Sequence, residues 1–206
     1  MTERRIIGPG DHATRVVHDA GFARLETVWD HPDNAELKQR RDNPSVLARG
    51  DELALPELRT ATAEASTGAR HRYVVRRTPL ELRLQLRDFR QRPLAGRSCT
   101  LDVDGDAQEL VSDGDGVIVR AIAHDARTAV LTVDDDELQL MIGYLEPVDT
   151  DAGWKDRLTN LGYLVDPQDE IAIELALEEF QTDNALELTR APDDATRAKL
   201  LEIHGS

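Results

Sequence analysis

The residues of this chain with a spacing suited to metal binding are three alternating aspartates, Asp102, Asp104 and Asp106. This spacing opens calcium-binding loops, in which carboxylate oxygens surround the cation. Such a loop also needs a glycine at its sharp turn and a glutamate at its end, where this chain has Ala107 and Asp113. The Asp-Gly pair at 104–105 is typical of a hairpin turn. The sequence therefore favours a solvated hairpin over a calcium site, and it predicts no metal and no cofactor.

One cysteine and six histidines are the other side chains that could act as nucleophiles, bases or metal ligands. Cys99 alternates with polar residues on the face of Leu101 and Val103, so it is predicted to be a small core residue. His12 and His18 are six residues apart, so they lie on different faces of a helix and form no metal-binding pair. A single cysteine also excludes an intrachain disulfide. Since no nucleophile, base and orienting group come together, the chain is predicted not to be an enzyme.

The chain of 206 residues is acidic, with a formal net charge of −15. Residues 151–206 carry 13 acidic and 5 basic side chains, a net charge of −8. Because phosphate backbones are also negative, no nucleic-acid partner is predicted. No apolar run reaches membrane-spanning length, and residues 1–11 contain no apolar signal region. We therefore expect a protein that is made in the cytoplasm and does not insert into a membrane.

Residues 1–57 combine short strand and helix patterns and are predicted to form the first domain. A strand is expected at 4–7, and Asp11 is expected to cap the helix that follows. The apolar residues with helical spacing in that helix are Ala13, Val16, Val17 and Ala20. The later expected elements are a second helix at 25–29, a charged helical insertion at 36–41 and a strand at 53–55.

This order of elements, with Gly-Asp at 10–11, Asn-Pro at 43–44 and a second Gly-Asp at 50–51, resembles a LysM domain over residues 4–57. The resemblance implies a shallow groove between the loop after the first strand and the loop before the last strand. In that family the groove binds N-acetylglucosamine units of peptidoglycan or chitin. The glycan-binding candidates that the resemblance carries over are Gly10, Asp11, His12, Ala13, Asn43, Pro44, Ser45 and Val46. The usual Thr-Leu after Gly-Asp is His12-Ala13 in this chain.

Residues 58–70 are rich in alanine, threonine and serine and are predicted to be a flexible linker. Beyond them, at 71–149, the apolar period changes to two, the pattern of half-buried strands, and a β-sandwich domain is predicted. The alternating apolar residues are Leu80, Leu82, Leu84, Leu86, Cys99, Leu101, Val103, Val117, Val119, Leu131, Val133, Leu138, Leu140 and Ile142. The segments RPLAGRSCTLDVDG at 92–105 and SDGDGVI at 112–118 resemble transthyretin-like or carboxypeptidase-regulatory-like sandwiches.

Residues 150–206 have the apolar spacing of three short helices. The three stripes are Trp154, Leu158 and Leu161, then Ile173, Leu177 and Phe180, then Leu200 and Ile203. Gly162 is expected to end the first helix, Pro167 to lie near the start of the second, and Asp193 to cap the third.

Four segments of this bundle resemble the three-helix peptidoglycan-binding domain that is often appended to wall hydrolases. They are RLTNLGY at 157–163, Phe-Gln at 180–181, residues 186–189 and DDATRAKL at 193–200. The family's glycine-bearing loop is absent after 166–167, and two further family glycines correspond to Ala185 and Arg190. The expected fold is therefore an α+β multi-domain protein with a LysM-like βααβ unit, a transthyretin-like β-sandwich and a three-helix peptidoglycan-binding-like bundle.

Two modules that resemble wall-binding domains, without a catalytic constellation, predict a non-catalytic peptidoglycan-binding or adaptor protein. The combination is similar to small proteins associated with contractile injection machines, including type VI secretion systems. That resemblance implies spike or baseplate proteins as partners, in addition to peptidoglycan glycan strands. It also implies that the protein is delivered to the periplasm or to the outside of the cell. Two alternatives stay open: a scaffold whose modules mediate only protein–protein contacts, and a cell-wall-active enzyme with an unrecognised site.

Overall fold

The structure is a computed structural model that describes residues 3–58, 67–68, 70–72, 80–88 and 90–205. These residues form eight strands in three antiparallel sheets and six α-helices, so the mixed α+β class is confirmed. Most of the predicted linker at 58–70 lies outside the described residues. Among the helices that the structure describes, none is long and apolar enough to cross a membrane.

The N-terminal unit is a two-stranded sheet that packs against short helices. Its elements are β1 (Glu3–Ile6), α1 (Ala13–Asp19), α2 (Glu26–Trp29), a 3-10 turn (Pro32–Asn34), α3 (Ala35–Arg40) and β2 (Glu52–Leu55). The strands are antiparallel, with Ile6 opposite Glu52. Asn34 is buried, and its side-chain amide donates to the carbonyl oxygens of Val28 and Ala54 at 2.7 and 2.8 Å. This amide therefore ties the helical segment to β2.

The cap of α1 differs from the sequence-based prediction. His12, not Asp11, is the N-cap, and its Nδ1 accepts a hydrogen bond from the Arg15 amide at 3.4 Å. The Asp11 carboxylate instead accepts from the Gly8 amide at 3.0 Å. A capping side chain accepts from an amide two or three residues ahead of it, whereas Gly8 lies three residues before Asp11. Asp11 therefore stabilises the turn before the helix and does not cap the helix.

Six strands form two antiparallel sheets in the middle of the chain. They are β3 (Leu80–Gln85), β4 (Ser98–Val103), β5 (Asp106–Val111), β6 (Val117–Ile122), β7 (Thr128–Val133) and β8 (Asp136–Met141). Strand β3 pairs with β6, and the other sheet has the order β5-β4-β7-β8. Apolar side chains of both sheets form one core, in which Leu101 and Ile118 are buried. The predicted change from a helical to a strand period is confirmed for the described residues, except that Leu138 in β8 is exposed.

The predicted inward face of β6 is partly wrong. Val119 is exposed, whereas Ile118 and Arg120 are buried. The Arg120 guanidinium donates to the Leu101 carbonyl oxygen and, at 2.6 Å, to the Asp106 carboxylate. Because these partners satisfy the charged end, the aliphatic stem can contribute to the core. Of the two predicted inward valines, Val117 is buried and Val119 is not, and Arg120 lies inward instead.

The C-terminal unit consists of three helices, as predicted. They are α4 (Asp151–Asn160), α5 (Glu170–Asp183) and α6 (Asp194–His204). Their core contains Trp154, Leu158, Leu177, Phe180 and Leu200. Asp193 caps α6 by accepting from the Thr196 amide at 2.8 Å, which confirms the predicted cap.

Candidate functional site

The structure brings together the two loops that the sequence analysis assigns to a glycan groove. The first contains residues 10–13, before and at the start of α1, and the second contains residues 43–46, between α3 and β2. The Ala13 amide donates to the Pro44 carbonyl oxygen at 2.9 Å and joins the loops directly. The pairing of β1 with β2 explains this proximity, because the two loops leave the same end of the N-terminal unit.

The eight candidate residues differ in accessibility. Gly10, His12, Ala13 and Val46 are buried, and Asp11 and Pro44 are partly buried. Asn43 and Ser45 are exposed. The Asn43 side-chain oxygen accepts from the Ser45 amide at 2.9 Å and fixes the turn that presents both residues. The loop at 43–46 therefore offers polar groups to solvent, whereas most of the loop at 10–13 does not.

A segment after β8 lies over the loop at 10–13. A β-carbon added to Gly10 would come within 2.9 Å of Tyr144 Cε2, so the ring lies against the Gly10 backbone. A β-carbon added to Gly143 would come within 2.8 Å of the Gly10 carbonyl oxygen and 3.1 Å of His12 Cδ2. Both glycines also have positive φ, 76° and 83°, which other residues adopt at a cost. We call residues 143–149 the covering segment.

Two ion pairs hold the covering segment against the N-terminal unit. Arg49 Nε lies 2.9 Å from Glu146 Oε1, and Arg41 Nη1 lies 3.1 Å from Asp149 Oδ1. Arg41 also donates through Nε to the buried Asp51 carboxylate at 2.8 Å. Burial opposes the charge of Arg41, but hydrogen bonds to Asp51 and Asp149 raise the pKa of its guanidinium. Asp51 therefore positions Arg41 for the contact with Asp149.

The other end of the covering segment is held by α4. Arg157 is almost fully buried, and its Nη1 donates to the carbonyl oxygens of Glu146 and Gly153 at 2.8 and 2.6 Å. Burial lowers the pKa of Arg157 to about 10. A β-carbon on Gly153 would lie 1.9 Å from the Pro147 carbonyl oxygen, so only glycine permits this close approach. The covering segment is thus packed between the N-terminal unit and the helical unit.

Histidines contribute a second contact between the N-terminal unit and the sheets. The ring of His18 in α1 stacks on that of His124, which lies between β6 and β7, with centroids 4.8 Å apart and planes 11° apart. His12 is 3% exposed, and its Nε2 has no hydrogen-bond partner among the residues that the structure describes. Burial, followed by the charge of Arg15, lowers the pKa of His12 to about 4. A proton on His12 is therefore unfavourable in the folded protein.

The residues considered for other chemistry have partners within the fold. Cys99 is buried as predicted, and burial raises the pKa of its thiol. The Asp102 and Asp104 carboxylates accept from the Gly105 amide at 2.7 Å and the Thr128 hydroxyl at 2.9 Å. The predicted hairpin between β4 and β5 is confirmed by their pairing. In the described part of the chain, no group of three or more histidine, cysteine or acidic residues could hold a metal ion.

The site residues that sequence reasoning missed are those of the covering segment, above all Gly143, Tyr144 and Glu146. The signal that could have found them is a Gly-Tyr pair directly after the last apolar strand pattern, followed by an acidic residue and a proline. Its contacts join residues far apart along the chain, so no local period encodes them.

Comparisons with known proteins do not test the LysM-like and peptidoglycan-binding-like resemblances, which stay predictions. The same holds for the transthyretin-like comparison of the sheets. No protein-family model matches this chain, and no curated protein or solved structure matches it.

Proposed function

We propose that this chain is a non-catalytic adaptor protein whose modules bind other proteins, with an N-terminal groove that is closed by the chain itself. The observation that carries the proposal is the packing of Tyr144 on Gly10. In the LysM resemblance, the loop containing Gly10 is one wall of the sugar groove. An aromatic ring of the same chain now lies on that wall, so a glycan would have to displace it.

The energetic cost of that displacement favours the adaptor role. Removing the covering segment would break the contacts of Arg49 with Glu146 and of Arg41 with Asp149. It would also expose the buried residues beneath Tyr144, whose burial stabilises the fold by an amount that grows with apolar area. A single sugar unit offers hydrogen bonds and ring stacking in return. Because Arg49 and Asp149 are more than half exposed, the two ion pairs contribute little, and the loss of buried apolar contact is the larger cost.

Peptidoglycan binding is the second candidate function, and a specific observation favours it. Asn43 and Ser45 are exposed beside the half-buried Pro44, so the loop at 43–46 keeps a polar rim to which a glycan could hydrogen-bond. Under this candidate function the covering segment closes one half of the groove and leaves the other half open.

The proposed partners are spike or baseplate proteins of a contractile injection machine, as the resemblance implies. The helical unit supports its own resemblance to the three-helix peptidoglycan-binding domain at two positions. Ala185 and Arg190 stand where the family has glycine, and both have positive φ, 52° and 54°. Glycine adopts this conformation readily, so the backbone retains a shape that suits the family's residues.

Co-sedimentation with purified peptidoglycan separates the two candidate functions. The adaptor proposal predicts that the wild-type protein stays in the supernatant at low and moderate salt. Under the glycan candidate, the wild type sediments and the N43W/S45W variant, which fills the exposed rim, does not. Wild-type binding that the N43W/S45W variant loses would overturn the adaptor-only role. Fractionation of contraction-competent cells tests the partner: the adaptor is expected to co-purify with the particles, and its absence from them would contradict that assignment.

A further inference from the structure

The outer face of α5 exposes aliphatic side chains that the fold does not use. Ile171 and Leu175 are 71% and 60% exposed, and they are four residues apart on one side of the helix. The opposite side contributes Leu177 and Phe180 to the core. Rotating by 100° per residue places Thr182 between Ile171 and Leu175 around the helix axis, about two turns beyond Leu175. The aliphatic face therefore points away from the C-terminal core.

Acidic side chains flank this aliphatic face. The acidic residues of α5 are Glu170, Glu174, Glu178, Glu179 and Asp183, and the helix contains no lysine or arginine. By the same rotation, Glu174 and Glu178 border the face on one side and Glu179 borders it on the other. Arg190 pairs with Glu178 at 2.8 Å. Glu179 and Asp183 line a cleft with Arg87 and Arg90, which offsets part of their charge, but the helix as a whole stays negative, consistent with the −8 charge of residues 151–206.

We propose that the outer face of α5 is a docking surface for a basic amphipathic helix of another protein. Aliphatic residues of such a helix would cover Ile171 and Leu175, and its lysines or arginines would lie opposite Glu174 and Glu179. A second copy of this chain fits poorly, because glutamates would face glutamates. An anionic membrane or wall polymer is repelled by the same charges, and the face has no aromatic ring on which a sugar could stack.

The proposal rests on the adaptor function and assigns one of its surfaces. Its test uses the full chain and a labelled peptide of leucine and lysine, about 18 residues long, that forms a five-turn helix with one apolar face. A control peptide has the same composition in an order that forms no apolar helical face. Fluorescence anisotropy measures the binding of each peptide at low and high salt.

We expect the amphipathic peptide to bind the wild-type protein, and to bind I171S/L175S about tenfold or more weakly because two buried aliphatic contacts are lost. E174Q/E179Q is expected to weaken binding at low salt and to reduce its salt dependence. The matched control is V111S/L138S, which removes two similarly exposed side chains, 64% and 57%, from the sheets and is expected to bind like the wild type. Circular dichroism checks that all variants are folded.

Three results would overturn the docking surface. They are no binding of the amphipathic peptide to the wild type at low salt, equal binding by the wild type and I171S/L175S, and a dimer of the wild type that I171S/L175S abolishes. The last result would assign the face to a second copy. Because the peptide test concerns α5 and the peptidoglycan test concerns the N-terminal loops, failure of one leaves the other result interpretable.

Discussion

The ring of Tyr144 lies on the backbone of Gly10, so close that a β-carbon at Gly10 would be 2.9 Å from Cε2. This contact joins the segment after the last strand to the loop before the first helix. It makes the wall of the candidate sugar groove part of an internal interface. The stability of the protein and the accessibility of the groove should therefore change together when either residue is replaced.

Replacing Gly10 with alanine is expected to destabilise the protein by about 2–4 kcal/mol, through the cost of a positive φ and the clash with Tyr144. The matched control is Gly50→Ala, because Gly50 also has positive φ but a β-carbon added there would meet no atom within 4 Å. That control is expected to cost about 1 kcal/mol. Urea denaturation measures both. Equal losses would show that the Tyr144 contact does not constrain Gly10.

The stability of the protein is expected to depend on pH through His12. Its pKa is lowered from 6.5 to about 4 in the fold, so the unfolded chain binds the proton more readily. The contribution of neutral His12 is therefore present above pH 6.5 and is lost as the pH falls toward 4. At about 1.4 kcal/mol per pKa unit, the loss is on the order of 3 kcal/mol.

The variant His12→Asn tests this pH dependence, because asparagine can still cap α1 but does not titrate. Urea denaturation from pH 7 to pH 4 is expected to show a shallower fall in stability for His12→Asn than for the wild type. His204 also has a pKa lowered to about 4, mainly by burial, so part of the pH dependence of stability is expected to remain in His12→Asn. Identical slopes for both proteins would rule out His12 as the titrating group.

The positive φ angles of Ala185 and Arg190 predict that glycine stabilises the helical unit. Ala185→Gly removes the strain of the left-handed conformation but makes the unfolded chain more flexible, so a net gain of about 0.5–1 kcal/mol is expected. Ala198→Gly, at an exposed helical position in α6, is the control and is expected to lose about 1 kcal/mol. Thermal unfolding measures both, and a loss of stability in Ala185→Gly would contradict the strain argument.

Gln181 is expected to be the most sensitive polar residue of the helical unit. It is fully buried; its amide donates to the hydroxyls of Thr189 and Thr196 at 2.9 Å, and its oxygen accepts from the Arg190 amide at 3.0 Å. Gln181→Leu leaves the Arg190 amide without this acceptor and removes the donor that both hydroxyls share, so a loss of about 2–4 kcal/mol is expected. The exposed Gln108→Leu is the control, with an expected change within about 0.5 kcal/mol. Similar losses in both variants would argue against the network.

Local patterns were sufficient to predict most elements of this fold. The period of two around Leu101, the helical stripe of Leu158 and the Asp193 cap are all confirmed, because each depends on residues close in sequence. The buried Arg120 was missed, since only its pairing with Leu101 and Asp106 makes an inward arginine favourable.

The candidate site was predictable only in part. The meeting of the loops at 10–13 and 43–46 follows from a two-stranded sheet that brings their ends together. Their covering by Tyr144 depends on how three separate cores pack, and on ion pairs such as Arg41 with Asp149. Those contacts join residues more than a hundred positions apart, where neither hydrophobic period nor turn chemistry carries information.

The covered groove is tested most directly by amide chemical shifts during a titration with a tetramer of N-acetylglucosamine. The account predicts that the amides of Gly10 and Ala13 in the wild-type protein do not shift, because Tyr144 occupies that wall. The variant Tyr144→Ala serves as a comparison in which the wall is uncovered. Saturable shifts of Gly10 and Ala13 in the wild-type protein would contradict the account, since they would show that sugar reaches the loop with the covering segment intact.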